Sequence, residues 1–227
     1  MATIPPHPHG GRARGFQAIT TTGQWRDLLR HGHRRVFTAG TQLLAQGGVG
    51  TVVYALTHGR TRVVYTEDNG DEALVAIRGP GDLLGEYAQR DRGEHMASVQ
   101  TLEKCVATVM TVQTFERCIR RHGLEEALQR YMLGKARQIG KRMWRAAHLN
   151  IEQRTARLFL EFIDAGPTQG ASSIPMTQQE LAASLGVSRR SVASLLGEWK
   201  RNGLVRTQPS PITVLDLPAL TRKAIPH

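Results

Sequence analysis

Short runs of β-branched and apolar residues alternate with turns over residues 36–112. The clearest runs are Val52–Leu56, Arg62–Tyr65, Ala73–Ile77 and Val106–Met110. The turns between them carry Gly, Asn and Asp, and the pair Asn69-Gly70 favours a tight hairpin because both residues tolerate positive φ. Strands of this length bounded by such turns are typical of an all-β barrel or sandwich. We therefore predict a β module over this part of the chain.

The hydrophobic period changes after about Thr114, and no proline occurs from there to Leu149. Apolar residues then recur at steps of three, four or seven, at Leu124, Leu128, Met132, Ile139 and Met143. This stripe predicts a helix of about 25 residues from Leu124, or roughly 37 Å at 1.5 Å per residue. A small domain does not need a helix of that length, so we expect a second copy of the chain to pack on it as a homodimer. The alternative is that the stripe packs against the chain's own β module.

Residues 177–207 carry the pattern of a helix-turn-helix that leads into a β wing. The segment 177–180 fits a capping box at the start of the first helix, and Gly186 permits the sharp turn after it. Ser188 can cap the second helix, and Asn202-Gly203 ends it with a residue suited to positive φ. The second helix has a buried stripe of Val192, Leu195, Leu196 and Trp199. Residues 204–206 and 212–214 are expected to pair as the wing.

The exposed start of the second helix is the predicted DNA-reading surface. The N-terminal turns of a recognition helix are the part that reaches base edges, and arginine contacts guanine O6 and N7 bidentately. Either Arg189 or Arg190 is therefore expected to read a base. The hydroxyls of Ser188, Ser191 and Ser194 suit phosphates or bases, while Thr177, Gln178 and Lys200 complete the predicted DNA-binding set.

The formal net charge of +11 indicates a polyanionic partner such as double-stranded DNA. The charge is uneven, because residues 36–116 carry a net −4 whereas residues 117–149 carry a net +7. Neither an apolar run of the ~18 residues that a membrane span needs nor an N-terminal secretory pattern is present. We expect a cytoplasmic, nucleoid-associated protein.

Catalytic and metal-binding patterns are missing from the sequence. No nucleophile elbow, phosphate-cradling loop or H-E-x-x-H motif occurs, so we do not expect an enzyme. The two cysteines, Cys105 and Cys118, are too few for an iron–sulfur cluster on four thiolates. Both are interpreted as half-buried small hydrophobes, and no metal site is predicted.

The chain resembles the Crp/Fnr family of bacterial transcription regulators over roughly residues 25–217. The resemblance rests on residues 39–41, on the Gly-rich run 79–86 that ends in Gly85-Glu86, on the long helix and on the winged helix-turn-helix. It implies an α+β protein with an N-terminal, jelly-roll-like β-roll sensor, a dimerisation helix and a C-terminal DNA-binding domain, with RNA polymerase as a further partner.

These patterns together divide the chain into four parts. Residues 1–22 form a disordered basic extension, 23–118 the cyclic-nucleotide-binding-like β-roll, 119–149 the dimerisation helix and 150–227 the winged helix-turn-helix domain.

The predicted effector pocket departs from the family pattern. Members that bind cyclic AMP hold the ribose with a Gly-Glu pair, matched here by Gly85 and Glu86, and hold the phosphate with a following Arg-Ser or Arg-Thr. In this sequence, His95 and Met96 occupy the positions of that phosphate-binding pair. Histidine is only partly charged near neutral pH and methionine has no donor, whereas a phosphate needs a fixed cation and donors.

The polar pair that contacts adenine from the long helix is replaced here by Ile139-Gly140. We therefore expect no cyclic AMP binding of the usual kind, and Gly85 and Glu86 serve either turn geometry or ribose binding. A cyclic dinucleotide, another cyclic nucleotide, a haem held by His95 or a cysteine, and no effector at all remain open. A nucleoid-type protein that binds DNA by charge alone is a further alternative.

The recognition helix also differs from the best-known family pattern, Ser-Arg-Glu-Thr-Val-x-Arg. Residues 188–194 keep the first arginine as Arg189 but carry Arg190 and Ser194 in place of the glutamate and the second arginine. Glutamate accepts a hydrogen bond from cytosine N4, which arginine cannot do. The operator is therefore expected to differ from the usual family site.

Overall fold

The computed structural model describes residues 13–87, 93–166, 172–208 and 211–225. The strands are β1 His33–Phe37, β2 Gln42–Leu44, β3 Val52–His58, β4 Thr61–Thr66, β5 Glu72–Arg78, β6 Leu83–Leu84, β7 Ser98–Thr101, β8 Cys105–Thr111, β9 Ser173–Ile174, β10 Val205–Arg206 and β11 Ile212–Val214. The helices are α1 Thr22–Arg30, α2 Val112–Arg121, α3 Glu125–His148, α4 Ile151–Ala165, α5 Gln178–Leu185, α6 Arg189–Arg201 and α7 Leu217–Lys223. The fold is therefore α+β, as predicted.

The N-terminal β module consists of two four-stranded antiparallel sheets. Their strand orders are β1-β8-β3-β6 and β2-β7-β4-β5. Apolar side chains from both sheets, including Leu84 of one and Val99 of the other, form a shared core cluster. The hairpin predicted at Asn69-Gly70 joins β4 to β5, where Gly70 has a φ of 85°. The predicted β sandwich is confirmed.

The segment before α1 corrects one prediction. Residues 1–12 of the expected disordered extension lie outside the described residues, but Phe16 and Gln17 contact the β module, where Gln17 N donates to the Gly81 carbonyl at 3.1 Å. Phe16 is fully buried, and its ring meets that of Tyr131 edge to face at 5.6 Å between centroids. A single aromatic anchor has no periodicity, so the hydrophobic pattern could not reveal it.

The segment after about Thr114 forms two helices, α2 and α3, which are separated at Gly123 with a φ of 59°. The predicted apolar stripe begins at the N-cap of α3 and continues along that helix. α3 has 24 residues, close to the predicted length. Leu124 and Leu128 are buried in the core of the β module, and Met132 packs against the same core. The prediction that Leu124 and Leu128 face a partner helix is therefore wrong, because the chain's own β module covers them.

The C-terminal unit contains the helix-turn-helix and a three-stranded sheet of order β10-β11-β9. β9 was not predicted, and residues 167–171 and 209–210 lie outside the described residues. The core of the C-terminal unit surrounds Phe159, Phe162 and Trp199, and it is continuous with Leu74 and Ile77 of β5. None of the helices in the described ranges is both long and apolar enough to cross a membrane.

A buried arginine joins the two units. Arg60, which is 1% exposed, donates from Nε and Nη2 to the Glu103 carboxylate at 2.7 and 2.9 Å. Its Nη1 donates to the carbonyls of Phe162 and Ser173 at 3.2 and 2.7 Å. Because these bonds are charge-assisted and largely shielded from water, they fix the C-terminal unit against the β module.

Candidate functional site

The turn between α5 and α6 has the geometry of a helix-turn-helix. α5 begins at a complete capping box, in which Glu180 N donates to Thr177 Oγ1 at 3.2 Å and Thr177 N donates to Glu180 Oε2 at 2.7 Å. It ends at Gly186, whose φ of 61° is the left-handed conformation that glycine adopts most easily. Ser188 then caps α6 by accepting from Ser191 N at 3.1 Å.

α6 presents a polar face along its whole length while its other face is buried. The stripe of Val192, Leu195, Leu196 and Trp199 lies in the core, as predicted. The predicted DNA contacts Ser188, Arg189, Arg190, Ser191, Ser194 and Lys200 are all exposed. Among the described residues, the side chains of Arg189, Arg190, Ser194 and Lys200 make no hydrogen bond or ion pair. Ser188 and Ser191 meet at the start of α6, with 2.9 Å between their Oγ atoms.

The predicted contacts do not lie at equal distances from the start of α6. Arg189 and Arg190 are its first two residues, whereas Lys200 is next to last. At 1.5 Å per residue, Lys200 is about 16 Å further along the axis. Thr177 is exposed and Gln178 half-buried at the N-terminus of α5, where free backbone N–H groups favour an anion such as a phosphate.

The β-roll pocket brings together most of the predicted effector residues. Gly85, Glu86, His95, Met96 and Ile139 line one cavity beside α3. Gly140 is exposed on α3 and does not line it. The cavity measures about 70 Å³, while sites for small molecules usually measure ~300 to 1,000 Å³.

Glu86 is neutralised by a residue that the sequence analysis did not single out. Its side chain is 1% exposed, and its Oε1 accepts from Lys135 Nζ at 2.5 Å. Lys135 also donates to the Leu83 carbonyl at 2.8 Å and lies over the Tyr131 ring at 4.7 Å from its centroid. Burial lowers the pKa of Lys135, and the neighbouring Glu86 carboxylate opposes that shift. The lysine thus occupies the polar end of the pocket.

Tyr131 ties the same stretch of α3 to the Gly-rich turn. Its hydroxyl donates to Asp82 Oδ1 at 2.9 Å and accepts from Leu83 N at 3.0 Å. Burial raises the pKa of Tyr131, so the hydroxyl stays protonated and donates its hydrogen bond to Asp82. Together with Lys135, this network fixes α3 against the loop that carries Glu86.

His95 and Met96 take different positions at the pocket. His95 is buried, its backbone pairs with Gly47 and Gly48 at 2.9 Å each, and burial lowers the pKa of its ring. A neutral imidazole is a poor substitute for the arginine that holds a phosphate in cyclic-AMP-binding members. Met96 is 57% exposed and offers no donor.

Lys135 and Arg60, like Arg78, are buried cations that the sequence analysis did not single out. Lys135 did carry a signal, because it lies on the same helical face as Leu128 and Tyr131, where a charged residue interrupts an otherwise apolar stripe. Arg60 follows the His58-Gly59 turn and has no comparable signal, because its partners Glu103, Phe162 and Ser173 are distant along the chain.

Comparisons with known proteins match the β module and the C-terminal unit separately. A family model described as a cyclic nucleotide-binding domain matches residues 34–122, and one described as a Crp-like helix-turn-helix domain matches residues 153–223. The cyclic AMP receptor protein of Thermus thermophilus is 28% identical over 192 residues, covering 82% of this chain and 85% of that protein. The CRP-like cAMP-activated global transcriptional regulator of Mycobacterium tuberculosis is 25% identical over 193 residues, covering 83% and 86%.

Among solved structures, the c-di-GMP responsive global regulator CLP of Xanthomonas campestris shares the fold. Its TM-score is 0.68 at 17% identity, and the match covers 86% of this chain and all of that one. The two domain matches, in the same order and over most of the length of named regulators, identify the chain. It belongs to the Crp/Fnr family of transcriptional regulators.

Proposed function

We propose that the protein is a homodimeric, sequence-specific DNA-binding regulator whose β-roll pocket does not bind cyclic AMP in the family's usual way. The observation that carries the DNA-binding part is the exposed N-terminal turn of α6, with two adjacent arginines on a helix whose other face is buried. Arg189 holds the family position for base readout, while Arg190 and Ser194 set the change in specificity. RNA polymerase is the expected partner at promoters.

A homodimer is supported by a second stripe on α3. Small and apolar residues recur there at steps of three and four and are all exposed, namely Leu133, Ala136, Gly140, Met143 and Ala147. Alternating steps of three and four place them in one seam, as in a coiled coil. Of the residues predicted for the dimer, only Met143 belongs to this stripe, and it is 69% exposed. Ile139 faces the cavities of the chain itself.

Gly140 gives a direct test of the homodimer. A Cβ at this position would meet none of the described residues within 4 Å, and glycine costs a helix interior about 0.8 to 1.0 kcal/mol relative to alanine. Gly140→Leu should therefore not destabilise the isolated chain, but it should separate two packed helices and weaken the dimer by about 1 to 3 kcal/mol, or roughly 5- to 150-fold.

Sedimentation equilibrium measures this dissociation constant. Gly134→Leu is the matched control, because its Cβ would also meet open space but on another side of α3. We expect the control to dimerise normally. Equal dimerisation of Gly140→Leu and the control would contradict the proposed interface.

The effector part of the proposal rests on the ion pair of Glu86 and Lys135. The family models and the named relatives make regulation by a cyclic nucleotide or cyclic dinucleotide the second candidate. For either ligand to use this pocket, Lys135 must first leave Glu86, and a carboxylate left alone in that place costs several kcal/mol. This internal pair therefore favours a regulator that does not depend on cyclic AMP.

Competition binding at physiological salt tests the DNA-binding function. We expect genomic sites mapped in the cell to be bound at least ~10³-fold more tightly than random duplex. A charge-driven nucleoid protein would instead bind all duplexes similarly, and its affinity would fall steeply with salt for every one of them. That second result would remove sequence-specific regulation as the function.

A further inference from the structure

The C-terminus of α4 is capped by two arginines that lie outside the DNA-binding unit. The last carbonyls of an α-helix have no partner within the helix. At the end of α4, the Phe162 carbonyl accepts from Arg60 Nη1 at 3.2 Å, and the Asp164 carbonyl accepts from Arg14 Nη1. A cation is favoured at this end of a helix because the free carbonyls carry partial negative charge. The N-terminal part of the chain therefore holds the first helix of the DNA-binding unit by its end.

Arg14 belongs to the N-terminal segment, residues 13–20, whose backbone packs closely on the Gly-rich turn 79–82. Gly15 and Gly81 face each other there with φ of 57° and 93°. A Cβ on Gly15 would lie 2.7 Å from the Gly81 carbonyl oxygen, and a Cβ on Gly81 would lie 2.4 Å from the Arg14 carbonyl oxygen. Both positions need glycine, for the left-handed backbone and for the close approach. The turn therefore fixes the point from which the Arg14 side chain extends.

The same turn is also in direct contact with the end of α4. A Cβ on Gly79 would lie 2.2 Å from the Ala165 carbonyl oxygen and 3.1 Å from the Ala165 Cα, so the two backbones touch. Asp82 stiffens the turn, because its carboxylate accepts from Gly79 N at 3.0 Å and from the Tyr131 hydroxyl at 2.9 Å. The turn 79–82 thus connects the N-terminal segment, α3 and the end of α4 in one joint.

The side chains of the N-terminal segment divide into an anchor and a reaching cation. Phe16 is fully buried in the core of the β module, so it holds the segment in place. Arg14 is half-buried, and in the ranges that the structure describes it pairs with no carboxylate. Its hydrogen bond to Asp164 spans 150 positions of the chain and joins the two units. Removing this one side chain therefore changes the joint and leaves the anchor intact.

We propose that Arg14 is a positioning residue for DNA binding, which fixes the recognition helix α6 relative to the β module by capping α4 together with Arg60. α4, α5 and α6 share one hydrophobic core, so a shift of α4 carries α6 with it. In a dimer, the separation of the two α6 helices sets the spacing of the half-sites, while their side chains read the bases. The joint therefore governs half-site spacing and not base preference. This consequence for the operator rests on the proposed function; the joint itself does not.

The distance between two spin labels in the full chain tests the joint without DNA. One label is attached at Asp68→Cys, in the turn between β4 and β5, and the other at Asn202→Cys, at the end of α6. Both positions are exposed, whereas the native Cys105 and Cys118 are buried and are not expected to react. The doubly labelled chain is mixed with an excess of unlabelled chain, so that a dimer carries one labelled copy. We expect a single narrow distribution of distances, and a broad one would overturn the proposal.

Variants of the joint change this distribution in different ways. Arg14→Ala removes the cap and should broaden it, while Arg14→Lys keeps a cation and should restore most of the narrow component. Gly79→Ala adds a methyl group that would overlap the Ala165 carbonyl, so the distribution should shift. Arg26→Ala is the matched control, because Arg26 is exposed on α1 and forms no ion pair within the described residues. A distribution as narrow in Arg14→Ala as in the control would overturn the proposal.

Selection of duplexes from a random pool gives the readout that a merely structural role would not change. Arg14→Ala should enrich the same bases in each half-site as the wild type, but at several spacings. It should also weaken binding to the operator of the wild type at least about fivefold, the lower end of common coupling between sites. A variant that only loses stability would instead melt at a lower temperature and keep the original spacing, which would contradict the proposal.

The two experiments separate the joint from the proposed function. If the wild type enriches no motif, the regulator function fails, and the spin labels still decide whether Arg14 holds α6 in place. If the wild type enriches paired half-sites and Arg14→Ala keeps their spacing, the role of the joint is refuted while the regulator function is retained.

Discussion

Arg189→Ala is expected to weaken binding of the protein to its own operator by about 2 to 6 kcal/mol per dimer, or roughly 30- to 20,000-fold. One bidentate contact to guanine contributes about 1 to 3 kcal/mol of discrimination, and a dimer makes that contact twice. Arg189 is exposed at the first position of α6, and its side chain makes no hydrogen bond with the part of the chain that the structure describes. The protein fold should therefore survive the change.

The measurement is fluorescence anisotropy with the operator and with a scrambled duplex of the same length. Arg201→Ala is the matched control, since Arg201 is exposed on the same helix but about 18 Å further along its axis. The control should weaken both duplexes alike and only slightly. Arg190→Ala should relax the preference at a different base position. An equal loss on operator and scrambled duplex for Arg189→Ala would show that Arg189 contacts phosphate and not a base.

Lys135→Met is expected to lower the free energy of unfolding by about 3 to 5 kcal/mol, because it leaves the Glu86 carboxylate buried without a counter-ion. Methionine matches the length of the lysine stem, so the loss reports the charge and its hydrogen bonds more than the packing. Denaturant unfolding followed by circular dichroism measures the change. Lys141→Met, an exposed lysine on the same helix, should shift stability by less than about 0.5 kcal/mol.

The double variant Glu86→Gln with Lys135→Met tests whether the loss of stability comes from the unpaired Glu86 charge. Removing both charges eliminates the buried carboxylate, so the double variant should be more stable than Lys135→Met alone. If Lys135→Met costs no more than Lys141→Met, the ion pair does not hold the pocket closed. Ordinary cyclic AMP binding would then be disfavoured by His95-Met96 and by Ile139-Gly140.

Local signals explain why so much of the fold could be predicted. The Asn69-Gly70 hairpin, the capping box at Thr177 and the glycine turn at Gly186 each depend on residues within a few positions of one another. A short window of sequence is enough to predict such features, and each of them is present in the structure. The positions of Arg189 and Arg190 follow from the cap at Ser188 in the same way.

Contacts between distant residues were not predictable from these patterns. α3 carries two apolar stripes with similar spacing, one through Leu128 and one through Gly140, and periodicity does not say which faces the chain's own core. The packing of Phe16 on Tyr131 and the bonds of Arg60 to Phe162 and Ser173 have the same character. Each joins residues whose proximity exists only after folding.

The same limit applies to the effector pocket. Sequence comparison placed Gly85, Glu86, His95 and Met96 near one another, and the structure brings all four to one cavity. Sequence comparison could not show that Lys135 reaches Glu86 from α3, because that contact depends on the rotation of the helix. The charge balance of the pocket is therefore a property of the tertiary structure.

Selection of duplexes from a random pool by the full-length protein, followed by sequencing, tests the central claim most directly. A homodimer that reads DNA with α6 should enrich two inverted half-sites whose centres lie about 10 to 10.5 base pairs apart, or a multiple of that. The enriched motif should not depend on added cyclic AMP, and Arg189→Ala should lose one position of each half-site. A pool without an enriched motif, or one with a single unpaired half-site, would contradict the account.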